Sequence, residues 1–320
     1  MALKFIVTGG AGFIGSNLVA ALNAAGEPDI LIVDRLGHSE KWRNLVGLQF
    51  EDYMDKADFR RNLDDERWRG VATVFHLGAC SSTTETDADY LADNNYRYTR
   101  ELCEWCLKSG KRFIYASSAA TYGDGQLGYD DTPALLPRLR PLNMYGYSKH
   151  MFDLWAWRND LFSRIAGLKY FNVFGPGEAH KGEMRSMVHK AVEQIKAEGR
   201  VSLFRSHRPE FADGEQRRDF VYVKDSVRVT LFMHEHQDVG GLFNCGAGRA
   251  RTWNDLARAV FAALDRPPCI EYVDMPAALR GKYQYHTQAA TARLQQAGYN
   301  RPFTDLEEAV REYVQSLQPA

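Results

Sequence analysis

Long apolar runs are missing from this 320-residue chain. None reaches the roughly 20 residues that a membrane-spanning helix needs. Residues 1–7 lead straight into a glycine-rich turn, with neither the longer apolar region nor the cleavage site of a secretory signal. A cytoplasmic location is therefore expected. An excess of one charge sign is missing too. The 40 Lys and Arg stand against 41 Asp and Glu, a net charge of -1, so no global field favours nucleic acid or an acidic membrane. Cysteine is scarce. There are five, Cys80, Cys103, Cys106, Cys245 and Cys269, and an odd number without a secretory signal argues for free thiols. Cys103 and Cys106 have the spacing of a redox pair. They lie in a helical pattern with Leu102 and Leu107, and core packing is the preferred reading. No Cys or His cluster has metal-ligand spacing, so no metal is expected. Internal repeats and low-complexity tracts are also absent. What is there is an ordinary globular composition, 45% hydrophobic and 25% charged. It suffices for one large or two small domains with ample core.

The N-terminal segment reads strand, glycine turn, helix. Residues 3–7 form a short apolar run of the kind that makes a buried parallel strand. Thr8-Gly9-Gly10-Ala11-Gly12-Phe13-Ile14-Gly15 follows. Ile14, Leu18, Ala21, Leu22 and Ala25 then share the apolar face of a helix that Gly26 stops. A second strand over 29–33 ends at Asp34, about 20 positions past the glycines, where a ribose 2′-hydroxyl is held in dinucleotide-binding folds. Gly9, Gly12 and Gly15 let backbone approach a pyrophosphate, whose charge a helix N-terminus favours. The bland alternative is a tight turn with no ligand. The strand, helix and acid around the glycines decide for a dinucleotide. Arg35, Lys41 and Arg43 follow Asp34. Asp34 alone points to NAD, because its charge repels a 2′-phosphate. The three cations suit that phosphate, and counting charge favours NADP over NAD.

The alternation continues. Strands are expected at 71–77, 113–116 and 166–170, with helices at 100–108 and from 145 onward. The Gly- and Pro-rich stretch 124–142 is expected to be a loop. This order gives an α/β fold, a Rossmann-type doubly wound parallel sheet. Ligands bind such sheets beyond the carboxyl ends of the strands. After Asn172 the pattern is irregular. A helix is expected over 184–198, a polar loop over 204–216, strands over 218–223 and 242–245, and an amphipathic helix over 253–264. The expected division is a dinucleotide-binding domain over 1–172, with returns near 218–247, and a smaller α/β substrate domain mainly over 173–320.

Tyr145 and Lys149 stand i, i+4, on one helix face. A tyrosine is a poor acid or base at neutral pH, its free pKa being about 10. A cation close by is expected to lower that pKa, so that Tyr145 takes a proton from a sugar hydroxyl while a cofactor takes the hydride. Spacing alone fits an ordinary surface helix better, and the upstream motifs turn the reading toward catalysis.

The glycine turn T-G-G-A-G-F-I-G, the Ser118 segment and Y-G-Y-S-K together resemble the extended short-chain dehydrogenase/reductase superfamily. In that resemblance Ser118, rather than Ser117, holds the reacting oxygen, Tyr145 moves the proton, and Lys149 binds the nicotinamide ribose. Further stretches narrow it. H-L-G-A-C-S-S-T-T-E, D-N-N-Y, K-Y-F-N-V-F-G-P, H-K-G, R-D-F-V-Y-V and K-Y-Q-Y-H-T-Q-A are similar to the ADP-L-glycero-D-manno-heptose 6-epimerase family over nearly the whole chain. The resemblance implies retained NADP, oxidation at C6 to a ketone, re-reduction on the other face, and a second base at Lys181. It implies cofactor contacts at Gly9, Gly10, Gly12, Phe13, Ile14, Gly15, Asp34, Arg35, Lys41, Lys56, Leu77, Gly78, Ala79, Cys80, Ser81, Asn94, Tyr145, Lys149, Val173 and Lys181. It implies substrate contacts at Ser118, Asn172, Glu183, Lys190, Phe204, Arg205, Ser206, His207, Arg218 and Tyr283. It also implies a homo-oligomer, a pentamer within that family. Arg218 has a physical reason of its own, because a guanidinium fork suits a diphosphate.

Four positions and one loop depart from the family pattern. Leu77 replaces a Glu, Glu183 a small polar residue, Lys190 a His, and Ala290 an acid, and the loop 208–216 is long. Another nucleotide-sugar epimerase, such as a UDP-sugar 4-epimerase, would share Ser118, Tyr145 and Lys149 but have no use for Lys181. A 4,6-dehydratase would carry Asp-Glu where Ala119 and Ala120 follow Ser118. A non-catalytic NADP-binding regulator would typically lack the Tyr/Lys pair.

Overall fold

The computed structural model describes residues 3–280 and 283–317. In chain order its strands are β1 (Phe5–Thr8), β2 (Ile30–Asp34), β3 (Asp52–Asp55), β4 (Thr73–His76), β5 (Arg112–Ser118), β6 (Ala166–Tyr170), β7 (Asn172–Phe174), β8 (Val201–Phe204), β9 (Arg217–Tyr222), β10 (Gly241–Cys245), β11 (Ala250–Thr252) and β12 (Ile270–Val273). Seven form one parallel sheet in the order β10-β6-β5-β4-β1-β2-β3. The sequence changes direction across the sheet between β1 and β4, the switch point where α/β folds open a crevice. β1, β2 and β4 are buried along their whole lengths, as their mainly apolar sequences favour for parallel strands covered on both faces. β10 closes the sheet far along the chain, so residues beyond 240 return to it.

Two smaller sheets lie beyond. β11, β9 and β7 form one, β12 and β8 the other. A separate apolar cluster holds this part together, with Val188, Val192 and Ile195 of the helix Met187–Glu198 meeting Leu256, Val260, Val310 and Val314. Among the described residues no helix is long and apolar enough to cross a membrane.

Expected and observed elements differ where local pattern is weakest. β3 reads D-Y-M-D, too polar to suggest a strand, and forms because β2 offers it an open edge. β8 and β12 pair only with each other, so neither was legible alone. The helix Leu306–Ser316 is not among the expected elements, although Leu306, Ala309, Val310, Tyr313 and Val314 repeat at helical spacing and are buried. The helix expected over 184–198 begins at Met187, after a separate tight turn over Ala179–Met184. The loop 124–142 contains a short helical stretch, Pro133–Arg138. Cys103 and Cys106 are both buried in the helix Tyr98–Lys108, and burial pushes both thiols up, Cys103 to about 12. Inert core thiols result.

Behind the sheet's carboxyl edge lies a buried ion pair. Lys169 Nζ stands 3.0 Å from Asp153, with both side chains essentially without solvent exposure. Asp153 also accepts from Tyr115 Oη at 2.8 Å and Ser117 Oγ at 2.7 Å. The pair thus joins β5 and β6 to the helix Met144–Arg158. Removing one partner leaves a buried charge. Lys169→Met should cost about 3 kcal/mol of stability, read from denaturant unfolding. An unchanged midpoint would show that the network contributes nothing.

Candidate functional site

The helix Phe13–Ala24 starts without a side-chain cap. Its N-cap is Gly12, which makes no side-chain hydrogen bond, and no acid stands in its first turn. Its free amide groups and positive dipole end face outward at the crevice. Other helices here are capped, by Asn143, Ser186 and Thr252. Gly9 has φ +70°, and a Cβ on it would lie 2.7 Å from the Gly78 amide nitrogen. A Cβ on Gly15 would strike the Gly9 carbonyl. The turn is therefore closed by backbone on backbone, and leaves room for an anion at the helix start. This fits the dinucleotide expectation.

A cavity of about 670 Å³ opens there, lined by the glycine turn, the β4 loop Leu77–Ser82, the ends of β5 and β6, and the loop over 180–187. A smaller one of about 160 Å³ shares Gly9, Asp34, Lys41 and Gly78 with it. The smaller one contains Arg35, Lys56 and Asn94. Both Asp34 oxygens are engaged. One accepts from the Ala11 amide at 3.0 Å, the other from the Arg35 amide at 2.7 Å and Lys41 Nζ at 2.8 Å. Lys56 bonds Asn94, and its pKa is lowered by burial first and then by Arg35, with Lys41 adding to the repulsion.

The catalytic candidates meet in the larger cavity. Asn143 caps the helix Met144–Arg158, its side chain accepting from the Gly146 amide at 2.8 Å. A Cβ on Gly146 would lie 2.8 Å from the Ala120 carbonyl oxygen, so only glycine lets this helix press against the turn after Ser118. That contact, which sequence reasoning did not foresee, brings Tyr145 beside Ser118. Burial raises the Tyr145 pKa, and a hydrogen bond with Ser118 opposes the rise. This corrects the expectation of a pKa lowered by a neighbouring cation. Lys149 Nζ instead donates to the Ala116 carbonyl at 2.8 Å, and burial brings it down to about 8. Ser117 Oγ is occupied by Asp153, whereas Ser118 Oγ faces the turn, accepting from the Ala120 amide at 3.1 Å.

Lys181 lines the same cavity, its ammonium 5.4 Å from the centre of the Phe13 ring. Burial lowers its pKa, with Glu178 opposing. Two asparagines pin the loop that carries it. Asn17 Nδ2 donates to the Pro176 carbonyl at 2.8 Å, and Asn44 Nδ2 to the Gly177 carbonyl at 2.9 Å. Neither asparagine carried a signal in the sequence. His180 and Trp253 also line the cavity and were not foreseen. Trp253 follows directly on β11, and its aromatic size beside a strand end was the one available cue.

Phe13, Ile14, Leu77, Ala79, Cys80, Ser81, Asn172 and Val173 line the cavity as well. Other expected contacts do not. Gly10 lies under the turn, where a Cβ would meet Ile32. Glu183 is outside and highly exposed, its carboxylate 3.2 Å from Lys190 Nζ, so the two charges satisfy each other away from the cavity. Phe204 to His207 also stand outside it. Arg205 pairs with Asp213 and Asp274, the Ser206 amide donates to Asp213, and the His207 amide to Tyr285 Oη. Arg218 and Tyr283 stand one layer behind Trp253. The Arg218 guanidinium lies 5.7 Å from the Trp253 ring and 4.9 Å from that of Tyr283, and Trp253 Nε1 donates to Tyr283 Oη. Arg218 is buried, and among the described residues no carboxylate pairs with it.

The pattern of the NAD dependent epimerase/dehydratase family matches residues 5–246. The chain belongs to this family. It is 56% identical over 318 residues to a protein of Nitratidesulfovibrio vulgaris strain DP4 named ADP-L-glycero-D-manno-heptose-6-epimerase, covering 99% of this chain and 98% of that one. Among solved structures it is similar to the Helicobacter pylori ADP-L-glycero-D-manno-heptose-6-epimerase. That match has a TM-score of 0.80 and 29% identity, and covers 98% and 96% of the two chains. The UDP-glucose 4-epimerase of Thermotoga maritima matches with a TM-score of 0.77 at 27% identity, covering 98% and 97%. Family members thus share this architecture across different sugars, and the sugar must be argued from the site.

Proposed function

We propose that this protein interconverts ADP-D-glycero-D-manno-heptose and ADP-L-glycero-D-manno-heptose by transient oxidation at C6, a step in making the lipopolysaccharide inner core. The observation that carries the reading is that two separate proton carriers, Tyr145 and Lys181, line one cavity with Ser118. A ketone that turns over in the site presents its oxygen to a different carrier in each orientation, so each epimer can use its own, whereas a UDP-sugar 4-epimerase has no use for the second. The name borne by the relatives at 56% identity supports the same sugar. The bound nicotinamide supplies reversible acceptance of a hydride. The chain's residues do the rest. Ser118 holds the C6 oxygen by a hydrogen bond. Tyr145 takes or returns the hydroxyl proton of one epimer, Lys181 that of the other. Lys149, fixed by the Ala116 carbonyl, holds the ribose. Arg218, a buried cation with no carboxylate partner among the described residues, suits the substrate diphosphate once Trp253 in front of it gives way. The test is incubation with ADP-D-glycero-D-manno-heptose and, separately, UDP-glucose. Turnover of UDP-glucose alone would remove the heptose and the role of Lys181.

For the cofactor we infer NADP. Arg35, Lys41 and Lys56 line one cavity with Asp34, and Asp55 acts on Lys56 from beside it, leaving one cation in excess for a 2′-phosphate. The family's description and Asp34 favour NAD as the second reading. Lys41→Ala should weaken NADP retention about 10-fold or more by loss of one charge-assisted contact. Chromatography of nucleotide released from denatured protein reads this, and release of NAD alone from wild type overturns the NADP assignment. The reading also places the protein in the cytoplasm as a homo-oligomer, with no nucleic-acid or membrane partner. Residues 1–172, with returns near 218–247, hold the cofactor, and 173–320 mainly hold the sugar.

A further inference from the structure

We propose that Glu178 is the positioning residue that seats Lys181, by clasping both ends of the loop that carries it. This rests on the reading of Lys181 as second proton carrier. Glu178 is fully buried, an expensive place for a carboxylate unless its oxygens are satisfied. They are satisfied from the two flanks of the loop and by the Tyr313 hydroxyl of the helix Leu306–Ser316. One oxygen accepts from Ser186 Oγ at 2.6 Å and more weakly from the Gly175 amide at 3.5 Å. The other accepts from the Ser186 amide at 2.5 Å. Between those anchors runs the tight turn Ala179–Met184, which kinks at Gly182 (φ 53°, ψ -126°) and carries Lys181. Ser186 is also the N-cap of the helix Met187–Glu198, so the carboxylate sits at a positive helix end. The position is thus fixed by a rigid element rather than by the loop itself.

The clasp also sets charge. Glu178 is the anion that raises the Lys181 pKa against the effect of burial. The other charged or titratable groups lining the same cavity are His180 and Arg185 on its own loop, Asp34 and Lys41 from the end of β2 and beyond, Cys80 after β4, Tyr170 at the end of β6, and Tyr145 and Lys149 from the helix Met144–Arg158. Arg185 is paired with Glu193, and Lys41 with Asp34. Glu178 is therefore the carboxylate left to act on Lys181. A Gln there keeps the shape but loses the charge and one acceptor.

The test is Glu178→Gln in the full-length protein, with two readouts. kcat should fall about 10- to 100-fold, as displaced catalytic groups do. Acetic anhydride labelling of Lys181 across pH, followed by peptide mass spectrometry, should give a titration midpoint lower than in wild type, because an anion near the ammonium is gone. A merely structural role would move stability and not this midpoint. An unshifted midpoint, or wild-type kcat, overturns the inference. Should E178Q fail to fold, Ser186→Ala removes one clasp and keeps the charge. It should lower kcat several-fold with the midpoint unmoved, and wild-type kcat in S186A overturns the clasp. Lys181→Met, assayed alongside, separates the two readings. If it is inactive while E178Q behaves as wild type, only the role of Glu178 falls. If it turns over normally, the second-carrier reading falls first.

Discussion

Tyr145→Phe should lower epimerisation about 10³-fold, within the range that a positioned proton carrier contributes. The ring stays and fills the same space, so packing beside Ser118 and Gly146 is preserved. What is lost is the hydroxyl. Burial makes the phenolate costly, and the Ser118 hydrogen bond offsets part of that cost. Without the hydroxyl, the C6 oxygen has no partner on that side able to take its proton, and Ser118 supplies only a hydrogen bond. Circular dichroism and the thermal midpoint should match wild type, and cofactor should still co-purify, since Lys149 keeps its bond to the Ala116 carbonyl. A rate within about 3-fold of wild type would remove Tyr145 from the proton path.

Lys181→Met should be nearly as severe, about 10²-fold or more, with the fold intact. Met keeps the apolar length of the side chain and removes the amine, together with its place over the Phe13 ring. Burial already lowers the Lys181 pKa, which brings a lysine toward the range where it can accept a proton. The two variants should differ in one informative way. Because each carrier serves one epimer, mixing Tyr145→Phe with Lys181→Met should not restore turnover unless substrate passes between molecules as a ketone. Rapid epimerisation by Lys181→Met would leave one carrier for both faces, and the UDP-sugar type of mechanism would take over.

The glycine turn, Asp34 and the Tyr145–Lys149 helix were legible because each is a local pattern with a local cause: backbone approach, an acid at a strand end, and i, i+4 spacing. Lys181 was not legible from physics. A lysine in a Gly-containing turn looks like any surface lysine, and only resemblance singled it out. What makes it distinctive is long-range, namely Phe13 beneath it and Asn17 and Asn44 holding its loop, from far earlier in the chain. Glu183 shows the reverse. The resemblance implies a substrate contact there, and the structure turns its carboxylate outward onto Lys190. The 204–207 stretch was carried over as substrate contact, yet its polar groups are engaged by Asp213, Asp274 and Tyr285. The sign of the Tyr145 shift was misjudged because spacing tells that a cation is near and says nothing of how dry the site is. Here desolvation is the largest effect, and Lys149 is turned to the Ala116 carbonyl.

The most direct test uses ADP-D-glycero-D-manno-heptose carrying deuterium at C6, incubated with the purified protein in ordinary water and followed by NMR. Conversion to the L-glycero epimer with deuterium still on C6 is the predicted result, because hydrogen leaves and returns to the same carbon within one cavity. Loss of the label to solvent, or no conversion while UDP-glucose is turned over, would contradict it.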